Sequence, residues 1–188
     1  DTIINIANGQ FQNVYGGSNK SGTVTNTTIT VTAGNITNLY GGNNEGGNTV
    51  NPLVKIMNGT IDNVYGGGNY GAVGIDATTS TSTTIKVLGG TVAGSLYGGG
   101  NNNGSGSSSV EATINISIYD GNIGNVFGGN DAAGAPNGKD VVYLNGGIIG
   151  NAFGGGNNTG QEQTNIYLQG AEVTNLFGGS NASGTVVG

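Results

Sequence analysis

The 188-residue chain has no cysteine, no histidine and no tryptophan, two prolines, one methionine and 7% charged residues. Its four basic residues are Lys20, Lys55, Lys86 and Lys139, so arginine is missing as well. Each absence removes a class of chemistry. Without cysteine there is no disulfide, no thiol nucleophile and no thiolate metal site. Without histidine there is no Ser-His-Asp triad, none of the usual zinc or iron sites, and no proton shuttle working near neutral pH. Four dispersed lysines against a net charge of −6 form no basic patch, which excludes nucleic-acid binding and polybasic membrane attachment. No apolar run approaches the roughly 18 residues of a membrane-crossing helix, so no membrane insertion is expected. These exclusions together predict a protein that is not an enzyme and has no cofactor. The chain opens on Asp1, which reads as a processed or excised start, as expected of a mature exported protein or of a fragment of a longer chain.

What is abundant is glycine, 41 residues of it, together with Asn, Thr, Ile and Val. A disordered chain would be poor in β-branched residues and rich in charge, so the glycines are expected at the turns of a repeated β architecture. One motif recurs seven times. It reads NVYGG at Asn13 to Gly17, NLYGG at Asn38 to Gly42, NVYGG at Asn63 to Gly67, SLYGG at Ser95 to Gly99, NVFGG at Asn125 to Gly129, NAFGG at Asn151 to Gly155 and NLFGG at Asn175 to Gly179. The aromatics Tyr15, Tyr40, Tyr65, Tyr97, Phe127, Phe153 and Phe177 are 25, 25, 32, 30, 26 and 24 residues apart, which is solenoid spacing.

Upstream of each motif lies an alternating apolar pair, from Ile4/Ile6 and Ile29/Val31 to Ile166/Leu168. A period of two marks a strand. Each repeat therefore reads as strand, glycine corner, second short strand, Gly-Gly corner and polar loop. About 25 residues cannot bury a core alone, but they suffice for one coil stacked on the next at roughly 4.8 Å. The expected fold is all-β: a right-handed parallel β-helix, or β-solenoid, of seven coils in a single domain. Its interior is expected to hold stacked Ile, Val, Leu, Tyr and Phe. Longer loops at about 68–84 and 100–113 account for the two wide intervals, and they are expected to project side by side. The Gly-Gly pairs are read as residues with positive φ at a tight corner.

Columns of equivalent residues become the meaningful unit. The aromatics form one. Asn13, Asn38, Asn63, Asn125, Asn151 and Asn175 form a second, interrupted by Ser95. Asn19, Asn44, Asn69, Asn101, Asp131, Asn157 and Asn181 form a third. Stacked amides can bond along the axis, and a position repeated in every coil is what a corner demands.

With its NVYGGGN-like corners, the pattern resembles the right-handed parallel β-helix repeats of exported, adhesin-like surface proteins of bacteria, over nearly the whole chain. That resemblance implies a secreted or cell-surface location and an architectural role. Pectate lyases share the fold class, but their chemistry uses arginine and calcium-binding aspartates, and this chain has no arginine. The YGGGN at Tyr97 to Asn101 is also distantly similar to curli-type fibre subunits, whose repeats are shorter and carry glutamine ladders.

Among the ten carboxylates, the best cluster is Glu111, Asp140 and Glu162, each a little before the first strand in consecutive coils. Together they are a weak candidate for calcium, which takes six to eight oxygens. Only the second coil is Thr-rich on its outward face, which argues against ice binding. Tyr119, Tyr143 and Tyr167 come from adjacent coils and suggest an exposed contact patch for another rod or for glycans. Eight Asn-x-Ser/Thr sequons occur, close to chance for this composition. Neither end of the chain reads as a polar cap, and SGTVVG at Ser183 to Gly188 echoes SGTVTN at Ser21 to Asn26. Joining two copies would set Phe177 and the next Tyr15 26 residues apart, within the internal range. The expected function is an extracellular structural protein, a fibre subunit or stalk that associates with itself head to tail. The alternative is a carbohydrate-binding or adhesive surface module.

Overall fold

The computed structural model describes residues 1–74, 81–101, 110–134, 136, 138–160 and 163–186. These contain no helix. Fourteen strands form one sheet: β1 Thr2–Ile6, β2 Gln10–Tyr15, β3 Thr23–Val31, β4 Asn35–Tyr40, β5 Asn48–Ile56, β6 Thr60–Tyr65, β7 Ala72–Gly74, β8 Ser82–Tyr97, β9 Val110–Glu111, β10 Thr113–Phe127, β11 Lys139–Leu144, β12 Ile148–Phe153, β13 Gln163–Leu168 and β14 Glu172–Phe177. Every pairing is parallel.

The pairing runs in two long ladders, with β7 set between β5 and β9 in a short third row. One follows β1, β3, β5, β8, β10, β11 and β13; the other follows β2, β4, β6, β8, β10, β12 and β14. The long strands β8 and β10 belong to both, because their chains continue from the first ladder into the second without a break. Register joins equivalent residues of successive repeats, as in Ile4 to Ile29, Ile29 to Val54, and Val142 to Ile166. Bulges between Ile118 and Asp120 and between Asp120 and Asn122 mark the bend in β10.

Alternation decides what each strand buries. In β3, Thr27, Ile29 and Val31 are buried while Thr28 and Thr30 are partly exposed. The inward residues of both ladders meet in one aliphatic cluster, including Ile29, Val31, Ile36, Leu39, Val54 and Ile56, all almost fully buried. Branched side chains favour this arrangement, since they pack on their counterparts above and below and lose little rotamer freedom in a strand.

The aromatic residues are not part of that interior, which corrects the expectation drawn from their apolar character. Tyr40, Tyr65, Tyr97, Phe127 and Phe153 form a cluster of their own, with Tyr15 packed against it. The reason is the strand period. Leu39 points into the core, so its neighbour Tyr40 points to the opposite face of β4, the face that also carries Asn38.

The glycine assignment is corrected as well. None of the Gly-Gly pairs of the seven aromatic motifs has a positive φ; the left-handed glycines include Gly9, Gly34, Gly59, Gly90, Gly121 and Gly147, at the corner between the two strands of a repeat. The first glycine of each Gly-Gly pair is required by close approach of backbones. A Cβ on Gly16, Gly41, Gly66, Gly98, Gly128 or Gly154 would collide with the carbonyl oxygen of the equivalent glycine in the next repeat. A Cβ on Gly178, in the last repeat, would meet nothing within 4 Å.

Of the two expected long loops, residues 75–80 and 102–109 lie outside the described residues. Their flanks do stack: Val73 pairs with Val110 and Gly74 with Glu111.

Candidate functional site

The most ordered surface feature is the aromatic column and the two asparagine rows beside it. Ring centroids of successive residues from Tyr15 to Phe177 lie 4.7 to 5.0 Å apart, with interplanar angles of 5° to 9°. Each inner ring is thus covered by its neighbours above and below, which is how residues on an outward face become buried. Stacking of this kind contributes about 0.5–1.5 kcal/mol per pair beyond area burial.

On one side, Asn38 Nδ2 donates to Asn13 Oδ1 at 3.0 Å, and Asn63 to Asn38 at 3.2 Å. After the break at Ser95, whose hydroxyl accepts from Asn125 Nδ2 at 3.2 Å, Asn151 donates to Asn125 and Asn175 to Asn151. On the other side, Asn44 donates to Asn19, Asn69 to Asn44, and Asn101 to Asn69, at 2.8 to 3.0 Å. Asn157 donates to Asp131 and Asn181 to Asn157. Each of these bonds runs from a later repeat to an earlier one, so both rows are polar: an acceptor is left over at Asn175 and Asn181, and a donor at Asn13 and Asn19.

Asp131 interrupts the second row. A carboxylate cannot donate, so no bond links it to Asn101; it accepts from Asn157 at 2.9 Å and from the Tyr65 hydroxyl at 3.4 Å. Burial raises the phenol pKa of Tyr40 and of Tyr97 to about 12, and raises that of Tyr65 further, with the Asp131 carboxylate adding to the effect. A phenolate would have to form inside the stack and beside a negative charge.

Two asparagines that the repeat did not single out are fully buried. Asn43 Oδ1 accepts from the Ser18 backbone N–H at 2.8 Å and from the Thr49 hydroxyl at 2.9 Å, while its Nδ2 donates to the Gly46 carbonyl at 3.0 Å. Asn130 Oδ1 accepts from the Gly100 N–H at 2.9 Å, and its Nδ2 donates to the Gly134 carbonyl at 2.7 Å. Each ties its own loop to the preceding repeat. The second glycine of the pair makes room for this: a Cβ on Gly17 or Gly99 would collide with the Asn43 or Asn130 amide oxygen. The only signal in the sequence is that Asn replaces Gly or Ser directly after Gly-Gly in those two repeats.

The tyrosine patch divides. Tyr143 and Tyr167 are register partners and stack with centroids 4.9 Å apart. Tyr119 is exposed too, but it sits in the β10 bulge past Ile118, outside that column. The acidic cluster is placed as follows. Glu111 lies opposite Gly74, Asp140 is fully buried opposite Ile114 and Thr164, and Glu162 falls outside the described residues. Among the described residues, no group of three potential ligands is arranged to hold a metal ion. Of the sequons, Asn19, Asn157 and Asn181 have their amides in the second row, and Asn103 lies outside the described residues.

No family model, no curated protein and no solved structure matches the chain.

Proposed function

We propose that the two parallel ladders wind as a right-handed β-solenoid, and that the chain serves as an extracellular structural rod, a fibre subunit or stalk that lengthens by head-to-tail stacking. The observation that carries this reading is that every repeat docks on the next through the same glycine contact, the same ring stack and, in most repeats, the same one-way amide bonds. Leu168, Leu176 and Phe177 are 50%, 48% and 46% exposed, whereas the residues they pair with, Leu144, Ala152 and Phe153, are 0%, 0% and 7% exposed. At the other end Phe11 is exposed, whereas the residue it pairs with, Ile36, is almost fully buried. A further repeat supplied by a second copy would bury these groups and pair the open strand edges, which otherwise template uncontrolled association. The polar amide rows support one orientation. Asn13 of the incoming copy can donate to Asn175, and Asn19 to Asn181, whereas a two-fold arrangement of like ends would face acceptor with acceptor.

A second reading, a glycan-binding surface module, is favoured by the exposed stacked pair Tyr143 and Tyr167. Sugar binding uses the free face of a ring, and here each ring gives one face to the other.

Gly178→Ala tests the main reading. Inside this chain the added methyl meets nothing. In a stacked pair it would collide with the carbonyl of Gly16 from the next copy, as every internal equivalent does. Sedimentation over a concentration series is expected to show oligomers for the unmodified chain and a folded monomer for Gly178→Ala. Equal association by both, or a strictly monomeric unmodified chain, contradicts axial stacking. Specific retention on a glycan array, lost in Tyr143→Ala with Tyr167→Ala, would favour the module instead.

A further inference from the structure

One buried carboxyl stands in a column of hydroxyls. Thr2, Thr27, Thr83 and Thr164 occupy equivalent positions in the first-ladder strands, in a column that Pro52 and Ile114 also join, and each hydroxyl donates to the carbonyl of the first glycine in the Gly-Gly pair of its own repeat. The acceptors are Gly16 and Gly41, at 2.6 Å each, and Gly98 and Gly178, at 2.9 Å each. Pairing places Asp140 in the same column, between Ile114 and Thr164. By the same offset, the carbonyl that belongs to it is that of Gly154.

Asp140 is 0% exposed, and neither of its carboxylate oxygens has a hydrogen-bond partner. A bare charge in that position would lack both water and a counter-ion. On its own strand Lys139 and Tyr143 are exposed and lie on the opposite face. On β10, Tyr119 and Asp120 are exposed beyond the bend, and on β13 the only titratable group is Tyr167, also exposed. β12 carries no titratable residue. Glu111, in β9, lies against Gly74, three residues before Ile114. Isolated buried charges of this kind are avoided by taking up a proton.

We infer that Asp140 is held in the fold as the neutral acid, its O–H donating to the Gly154 carbonyl in place of the threonine hydroxyl, and that this makes the stability of the protein pH-responsive. The burial that leaves the group unpartnered also pushes its pKa well above the usual carboxylate range. The sign follows from linkage. Between the unfolded carboxylate value, about 3.9, and the raised folded value, the native state binds the extra proton, so stability is fully present at low pH and is lost as pH rises through that window. The chain would be tightest in acid and would loosen toward neutral pH at one internal point of the ladder, whether or not copies stack.

The test compares the unmodified chain with Asp140→Asn, which keeps a donor, and Asp140→Thr, which restores the residue used in four other repeats. Urea midpoints are measured from pH 3 to 8. The two variants are expected to gain on the parent as pH rises, by up to tenfold in folding equilibrium constant per pH unit inside the window. Infrared spectra at neutral pH provide an independent readout, through a protonated carboxyl band present in the parent and absent from Asp140→Asn. A pH-independent difference between parent and variants, variants weaker than the parent at neutral pH, or no such band in the parent would overturn the inference.

Discussion

Substituting Gly41 by alanine probes how closely the repeats are stacked. The new methyl would collide with the Gly66 carbonyl oxygen while also standing 3.1 Å from Pro52 Cβ and 3.2 Å from the Gly66 carbonyl carbon. Two of these three atoms are backbone, so no rotamer change relieves the contact and the two repeats must part locally. Parting them strains the Gly41 N–H bond to Tyr65 O, 2.9 Å, and the Gly42 N–H bond to Gly67 O, 3.1 Å. Two such bonds contribute about 1 kcal/mol each. Overpacking adds about 1–3 kcal/mol, and weakening the Tyr40–Tyr65 stack adds up to about 1 kcal/mol more. A loss of about 3–6 kcal/mol is therefore expected, a large part of the stability of a domain this size. Urea denaturation followed by far-ultraviolet circular dichroism measures it, at a dilution where both chains are monomeric, with Gly178→Ala as the control expected within about 0.5 kcal/mol of the parent. If Gly41→Ala costs no more than Gly178→Ala, the close approach of glycine backbones is not what the Gly-Gly pair provides.

Two further outcomes follow from the aromatic column and its flanking row. Raising the pH should unfold the protein between about pH 10 and 12, because the raised phenol pKa values mean that stability is intact below the ordinary tyrosine value of 10 and is lost as the folded values are approached. Phenolate absorbance recorded with circular dichroism checks this; all eight tyrosines ionising near pH 10 with the fold intact would contradict it. Asp131→Asn should raise stability by about 1 kcal/mol, since the new amide can donate to Asn101 and close the gap in the row. A lower urea midpoint for that variant would mean that the Tyr65 hydroxyl bond to the carboxylate matters more than continuity of the amides.

Most of this arrangement was legible because a repeated residue in a stacked architecture marks its own partner. Asn13, Asn38 and Asn63 could be aligned by eye, and so could Ile4, Ile29 and Val54. What was lost was the side of the sheet. By its apolar character Tyr40 reads as core, although its place next to Leu39 and two after Asn38 puts it on the outer face. Glycine hid its purpose for a different reason: a left-handed φ, as at Gly34, and a backbone that tolerates no Cβ, as at Gly41, leave the same letter in the sequence. Pro52 and Ile114 break the threonine column on either side of Thr83, so in the sequence Asp140 reads with Glu111 and Glu162 instead of with Thr27 and Thr164. Asn43 and Asn130 are overshadowed by the asparagine-rich column one position later, which Asp131 interrupts.

The central claim, a rod of stacked repeats that grows along its own axis, is met most directly by fibre diffraction from aligned, concentrated protein. The account predicts filaments with a meridional reflection near 4.8 Å, from strands lying across the axis one repeat above the next. The same preparation from Gly178→Ala should give no filaments. Filaments whose reflection at that spacing lies on the equator, or a concentrated solution that stays monomeric throughout, would contradict it.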